Sequence, residues 1–380
     1  MIPRVARYRP DIKKFHRQHE LYQYVIVCHT LSWPTSSGAS SSTRSRRSPW
    51  REAERQYDQS YRRTMRWHKS KGIDYLCSFE YRGGRQVQKY HGTRSPATEK
   101  LKDDYMAARA RLRQRVKKSA ARLKAMAPIN RALRLNRLPS TETRIIRALD
   151  RARMLGQQRF IVGTNALFAY EMKAGVLLAS DLLATRDIDL LWDIGRLSLV
   201  SDGEQDQGLI GVLRSVDDTF RPIAARCFRA ENDAGYLVDL IRPAAKDQRR
   251  PGPEKIGDAD DDLFGVEIEG LAWLVNAPKV EETVIGSDGI PLGLPCIDPR
   301  AFALHKLWVS RRADRSAKQK PRDRDQAVAV AAICLSHLNL KLDAPELSAL
   351  PRALRDLAPE LTKMATKWNA TNESQPEREL

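Results

Sequence analysis

The alternation of apolar and polar positions divides the chain into stretches of different texture. Residues 21–33, "LYQYVIVCHTLSW", form an apolar run that falls short of the roughly 18 residues needed to span a bilayer. Its setting also has the outline of a signal peptide, although a short strand or helix explains it more simply. Residues 34–49, "PTSSGASSSTRSRRSP", cannot bury a core and read as a flexible linker. In "YLCSFEYRGGRQVQKYHG" (75–92), two aromatic-containing runs flank Gly83-Gly84, which predicts a hairpin. From Pro96 the pattern turns helical. Residues 98–127 contain no internal breaker and predict one long basic helix, and "STET" (140–143) predicts a second, capped by Ser140 or Thr141.

From residue 159 the pattern changes to short apolar runs separated by turns: "RFIVGT", "DIDLLWD", "RCFRAENDAGYLVDLIRP", "VEIEGLAWLV" and "GIPLGLPCIDP". Helical segments lie between them. This mixture predicts an α+β fold: a small mixed β-sheet with helical flanking regions before and after it. After Pro299 the chain is helical again over 301–338, and its polar end is expected to fray. The expected organisation is a basic, flexible segment at 1–50, a basic hairpin and helical region at 51–155, the core at 156–300 and a helical region at 301–380.

One predicted strand is out of character. In "ATRDIDLLWD" (184–193), Asp187, Asp189 and Asp193 interrupt residues that favour burial, where an ionised carboxylate is costly. Strand side chains at i and i+2 share a face, so Asp187 and Asp189 project together, about 6–7 Å apart. Two carboxylates that close repel unless a cation lies between them, and hard oxygen ligands suit Mg²⁺. A bare D-x-D equally describes a strand end with both carboxylates solvated. Asp193 shares the parity but lies beyond, near the strand end.

Two further stretches bear on that choice. "FIVGTNALFAYEMKAGV" (160–176) predicts a strand, then Gly163-Thr164, then a helix from about Asn165. Glycine allows close backbone approach and a helix start can hold phosphate, although a plain N-cap explains Thr164 as well. "GYLVDLIRP" (235–243) predicts a strand with one carboxylate, Asp239, which needs a partner if buried; Arg242 or Arg229 could supply it.

Charge adds a second theme. The formal net charge is +19, and it is concentrated at the front. Residues 1–155 hold 37 Lys and Arg against 12 Asp and Glu, while the remainder holds 29 against 35. Such a block offers a contact for nucleic acid, since each cation placed on a phosphate releases counterions, and it equally describes a soluble Arg-rich helical surface. Five scattered cysteines without a CxxC pair argue against a disulfide framework or structural zinc and for a reducing, cytoplasmic setting.

Taken together, Gly163-Thr164 at a helix entry, Asp187-x-Asp189 on a following strand and Asp239 on a later one resemble the DNA polymerase beta-like nucleotidyltransferase superfamily. Threonine stands where serine is commoner, and the gap from Thr164 to Asp187 is longer than in the minimal members. Over about residues 74–345, the stretches "VGTNALFAYE", "TRDIDLLWD", "VDLIRP" and "PRAFALHKLWVSRR" are similar to a bacterial group of nucleotidyltransferase-domain proteins with a hairpin and helical section before the core. The resemblance implies a Mg²⁺-dependent enzyme that moves a nucleoside monophosphate from an NTP such as ATP to a hydroxyl acceptor, releasing pyrophosphate. Asp187 and Asp189 would bind two Mg²⁺ ions (or Mn²⁺), Asp239 would complete the acceptor-side site, and Gly163 and Thr164 would hold the β/γ-phosphates. Lys306 is the candidate cation for the triphosphate. Asp323 and Asp325, in "KPRDRDQA" (320–327), fit a capping or salt-bridge role, and His305 fits the core. The acceptor could be an RNA end, a protein hydroxyl or a small molecule, with the 51–155 region tilting towards RNA. The alternative is a non-catalytic nucleic-acid- or partner-binding protein on a vestigial nucleotidyltransferase fold.

Overall fold

The structure is a computed structural model that describes residues 5–7, 49–61, 63–82, 85–156, 158–193, 208–244, 254–257 and 259–373. The apolar run at 21–33, most of the expected linker, and Gly83-Gly84 lie outside the described residues; Pro49 already begins a helix.

Strand β1 (Val5–Arg7) is followed by helix α1 (Pro49–Tyr61). The expected hairpin is β3 (Ile73–Arg82) paired antiparallel with β4 (Arg85–Thr93), and a strand not anticipated, β2 (Thr64–Ser70), joins β3 to make a three-stranded sheet. Helix α2 (Pro96–Ala132) follows, longer than expected at both ends. Its start is fixed by a capping box in which Ser95 accepts from the Thr98 amide and Thr98 from the Ser95 amide, with Pro96 in the first turn. At 37 residues it is about 55 Å long. Its far end docks through Ala127 and Asn130, whose Nδ2 donates to Gly289 O at 2.8 Å. Helix α3 (Ser140–Arg151) begins where "STET" predicted, but neither Ser140 nor Thr141 caps it: Pro139 holds the cap position and no side chain bonds there.

The core is one eight-stranded mixed sheet. The chain enters it through β5 (Arg159–Val162), turns through a 3₁₀ segment at Gly163–Asn165, and continues as α4 (Ala166–Ala174). The long gap to Asp187 is filled by β6 (Val176–Leu178), which pairs with β1, and by the short α5 (Ser180–Leu183). Then come β7 (Asp187–Trp192), α6 (Gly208–Arg214), β8 (Arg221–Pro222), β9 (Arg229–Glu231) and β10 (Leu237–Pro243). After β11 (Val266–Ile268) the apolar "LAWLVN" forms a short helix, α7 (Leu271–Asn276), rather than a strand. The hairpin β12 (Lys279–Ile285) and β13 (Pro291–Ile297) completes the sheet, in the order β12-β13-β5-β7-β10-β9-β8, with β11 beside β10.

The predicted 301–338 helix is two: α8 (Pro299–Arg311) and α9 (Lys320–Ser336). They pack on each other, and α9 also contacts α4, α5 and the last long helix, α11 (Ala358–Glu373), which follows a short turn, α10 (Arg352–Arg355). All seven residues of β13 and the run Ala166–Glu171 of α4 are buried, so the middle of the sheet is covered. Tyr170, fully buried, donates its hydroxyl to Ile297 O at 2.9 Å and meets Phe302 edge-on. Among the described residues no helix is long and apolar enough to cross a membrane.

Candidate functional site

Strand register brings the aspartates together. β7 and β10 are parallel, with Asp189 level with Asp239 and Asp187 level with Leu237. On its other side β7 is antiparallel to β5, which sets Val162 opposite Asp189 and so places Gly163 beside it. Gly163 has φ +66°, and a Cβ there would lie 2.0 Å from Asp189 Oδ2. Only glycine leaves room for this carboxylate.

Each aspartate has different company. Asp187 accepts from the Thr185 hydroxyl, and its backbone oxygen accepts from Asn165 Nδ2 at 2.6 Å. Asp239 is 5% exposed, and both its oxygens are taken by Arg229, whose Nε and Nη2 donate at 2.7 and 2.6 Å. Among the described residues Asp189 has no such partner. Burial, together with the like charges of Asp187 and Asp239, pushes its carboxyl up to about 7 against the pull of Lys306 and Arg315. Carboxylates crowded in this way are relieved by a cation bound between them. Glu142, 3% exposed at the start of α3, was not anticipated; burial pushes its carboxyl up, and the charge of Asp187 adds to this.

Thr164 is buried in the 3₁₀ turn, and its hydroxyl accepts from Gln326 Nε2 at 3.2 Å and Arg322 Nη2 at 3.4 Å. These α9 residues also bind the carbonyls of Leu182 and Ala184, tying the turn to α5. Lys306 on α8 is close enough to act on Asp189, but its Nζ donates to Asp323 Oδ1 at 2.7 Å. Arg315 takes the other oxygen at 2.6 Å. Burial raises the Asp323 pKa, but the two cations outweigh it and hold the carboxyl below its usual range. The salt-bridge role foreseen for Asp323 is therefore present, whereas capping of α9 by a side chain is not. His305 packs beside Trp308, and burial takes its imidazole down to about 3. Asp193 is buried past the end of β7.

Among the described residues no three His, Cys, Asp or Glu side chains form a ready-made metal cluster. The donor chemistry suits a divalent cation at Asp187 and Asp189, and the amide oxygen Oδ1 of Asn165 is buried nearby without a partner among the described residues. It does not suit one at Asp239 as that side chain stands.

The sequence model of a family described as "Nucleotidyltransferase" matches residues 140–351. The chain belongs to this nucleotidyltransferase family. The match opens at the first residue of α3 and takes in Gly163, Asp187, Asp189, Asp239 and Lys306. In this nucleotidyltransferase the three-stranded sheet and α2 precede the matched segment. No curated protein and no solved structure matches the chain. Of the two arginines expected as partners of Asp239, Arg229 takes that role, while Arg242 bonds Gly265 O and Glu267; Arg315, Gln326 and Glu142 join the site through helix packing that the linear spacing does not reveal.

Proposed function

We propose that the chain moves a nucleoside monophosphate from an NTP to a hydroxyl acceptor, with release of pyrophosphate, in the manner of the DNA polymerase beta-like superfamily. The observation that carries this reading is Asp189: a carboxylate pressed against Gly163 between Asp187 and Asp239, with its proton affinity raised by burial and by their like charges. Asp187 and Asp189 would hold Mg²⁺, which when bound supplies charge neutralisation for the phosphates. Gly163 and Thr164 would receive the β/γ-phosphates, and Lys306 would turn from Asp323 towards them.

The front section supports RNA as the acceptor. Between residues 109 and 124, α2 carries eight Lys and Arg and no acidic residue. Arg111, Arg113, Arg115, Lys117, Lys118 and Lys124 are exposed, and none forms an ion pair among the described residues. The arginines of the core, by contrast, are mostly paired.

The test is incubation with each labelled NTP, Mg²⁺, and total RNA or total protein. Wild type should label one acceptor pool, and Asp187→Ala/Asp189→Ala should not. The Arg229–Asp239 pair favours a second reading, a binding protein with a vestigial site. Identical behaviour of wild type and double variant with all four nucleotides would establish it.

A further inference from the structure

Two-metal chemistry at this site needs three aspartates free to ligate, and Asp239 is engaged. Arg229 lies directly opposite Asp239 in the antiparallel register of β9 and β10. Its Nε and Nη2 meet both carboxylate oxygens at 2.7 and 2.6 Å, the paired-fork geometry in which arginine binds carboxylate most firmly. The guanidinium also lies over the ring of its neighbour Phe228, 5.3 Å from the centroid. On the other edge of β10, Asp189 is level with Asp239. Arginine, Asp239 and Asp189 therefore form one row across three adjacent strands. Asp187 and Asp189, after Asp239, further stabilise the guanidinium charge, so Arg229 feels all three carboxylates. Strand pairing fixes this arrangement, and an ion could reach Asp239 only by displacing a hydrogen-bonded cation from a buried carboxylate.

We propose that Arg229 stands in for the acceptor-side metal: its guanidinium neutralises Asp239, and the pocket takes a single divalent ion on Asp187 and Asp189. Arg229 is a positioning residue in this scheme, since it acts through Asp239. The inference rests on the nucleotidyltransferase reading above and deepens it by changing the number of ions.

The test is a Mn²⁺ titration of the full chain without nucleotide, with free Mn²⁺ followed by electron paramagnetic resonance. Wild type should bind one ion. Arg229→Gln should bind two, Arg229→Lys, which keeps a cation, one, and Arg229→Gln/Asp239→Asn one. Should Arg229→Gln fail to fold, Asp239→Asn decides by stoichiometry: it should still bind one ion, more weakly than wild type because the released guanidinium stays beside Asp187 and Asp189, and tighter binding or a changed stoichiometry overturns the inference. Two ions in wild type, or one in folded Arg229→Gln, overturns it as well while leaving nucleotidyl transfer intact. No ion in wild type overturns it together with the metal-dependent reading.

Discussion

Gly163→Ala tests the geometry of the site without any assumption about substrate. The methyl group would be built 2.0 Å from Asp189 Oδ2 and 3.1 Å from its Cγ, in a backbone with φ +66°. The left-handed backbone costs an alanine about 1 kcal/mol. Forcing the carboxylate aside adds about 1–3 kcal/mol, the range for overpacking a close-packed interior. The total of about 2–4 kcal/mol corresponds to a drop in melting temperature of roughly 4–16 °C for a domain of this size. Two controls separate the contributions. At Gly72, φ is +81° and no atom lies within 4 Å of an added Cβ, so Gly72→Ala should show the backbone cost alone. In an Asp189→Ala background the nearest remaining atom is Cβ at 3.5 Å, an ordinary contact, so Gly163→Ala should there cost only about 1 kcal/mol. Urea unfolding of the four proteins of this cycle measures the coupling directly. Equal costs of Gly163→Ala in both backgrounds would refute the placement of Asp189 against Gly163, and the reading of the site with it.

Three other outcomes are expected. Arg51 is 2% exposed and pairs with Asp150 at 2.5 Å and with Glu281, so Arg51→Ala should cost about 3 kcal/mol in urea unfolding; a loss below about 1 kcal/mol would show that these pairs do not anchor α1 to the core. His305 is held neutral, with its pKa taken from 6.5 down to about 3, so the unfolded chain takes up a proton that the folded chain refuses, and stability falls as pH drops from 6.5 towards 3. His305→Phe should remove up to about 3 kcal/mol of that loss at pH 4, and parallel pH profiles for the two proteins would contradict it. Replacing Arg111, Arg113, Arg115, Lys117, Lys118 and Lys124 of α2 by Gln should lower the slope of log Kd against log salt for single-stranded RNA by about 4, and an unchanged slope would remove α2 from the RNA contact.

The elements that could be read in advance are those whose signal is local. Residues 98–127 are helical because nothing in them competes, and the strands around Gly83-Gly84 pair because two aromatic-containing runs are close in sequence. β2, "TMRWHKS", gives no such signal: polar and basic residues fill most of it, and it is a strand because β3 offers an edge. "LAWLV" is too short for periodicity to separate strand from helix. The break between α8 and α9 does carry a local signal: Pro321 stands in the first turn of α9, where proline starts a helix and does not continue one. It leaves Lys306 on one helix and Arg315 on the connection, both on Asp323 near the start of the other, an arrangement only tertiary packing can specify.

The aspartates were legible as a set because carboxylates in apolar strands are costly; an arginine partner for Asp239 and a salt bridge at Asp323 were legible too, but the choice of Arg229 over Arg242 and the pairing of Asp323 with Lys306 and Arg315 were not. Asp239 accepts a two-pronged arginine, and Asp323 takes up both Lys306 and Arg315. Asp187 has the Thr185 hydroxyl. The cations nearest Asp189 are thus already committed to other carboxylates, and they reach it only as a field that burial and like charge overcome. The demand for a further cation therefore falls on one residue, beside the glycine that leaves it room. This ties two roles together: a triphosphate that drew Lys306 away would weaken the neutralisation of Asp323, which Arg315 alone would then hold. Asp323→Asn should accordingly free Lys306 and tighten binding of a nonhydrolysable NTP in the absence of metal. Weaker binding in that variant, with the fold intact by circular dichroism, would mean that the Lys306–Asp323 pair orients the lysine and does not restrain it.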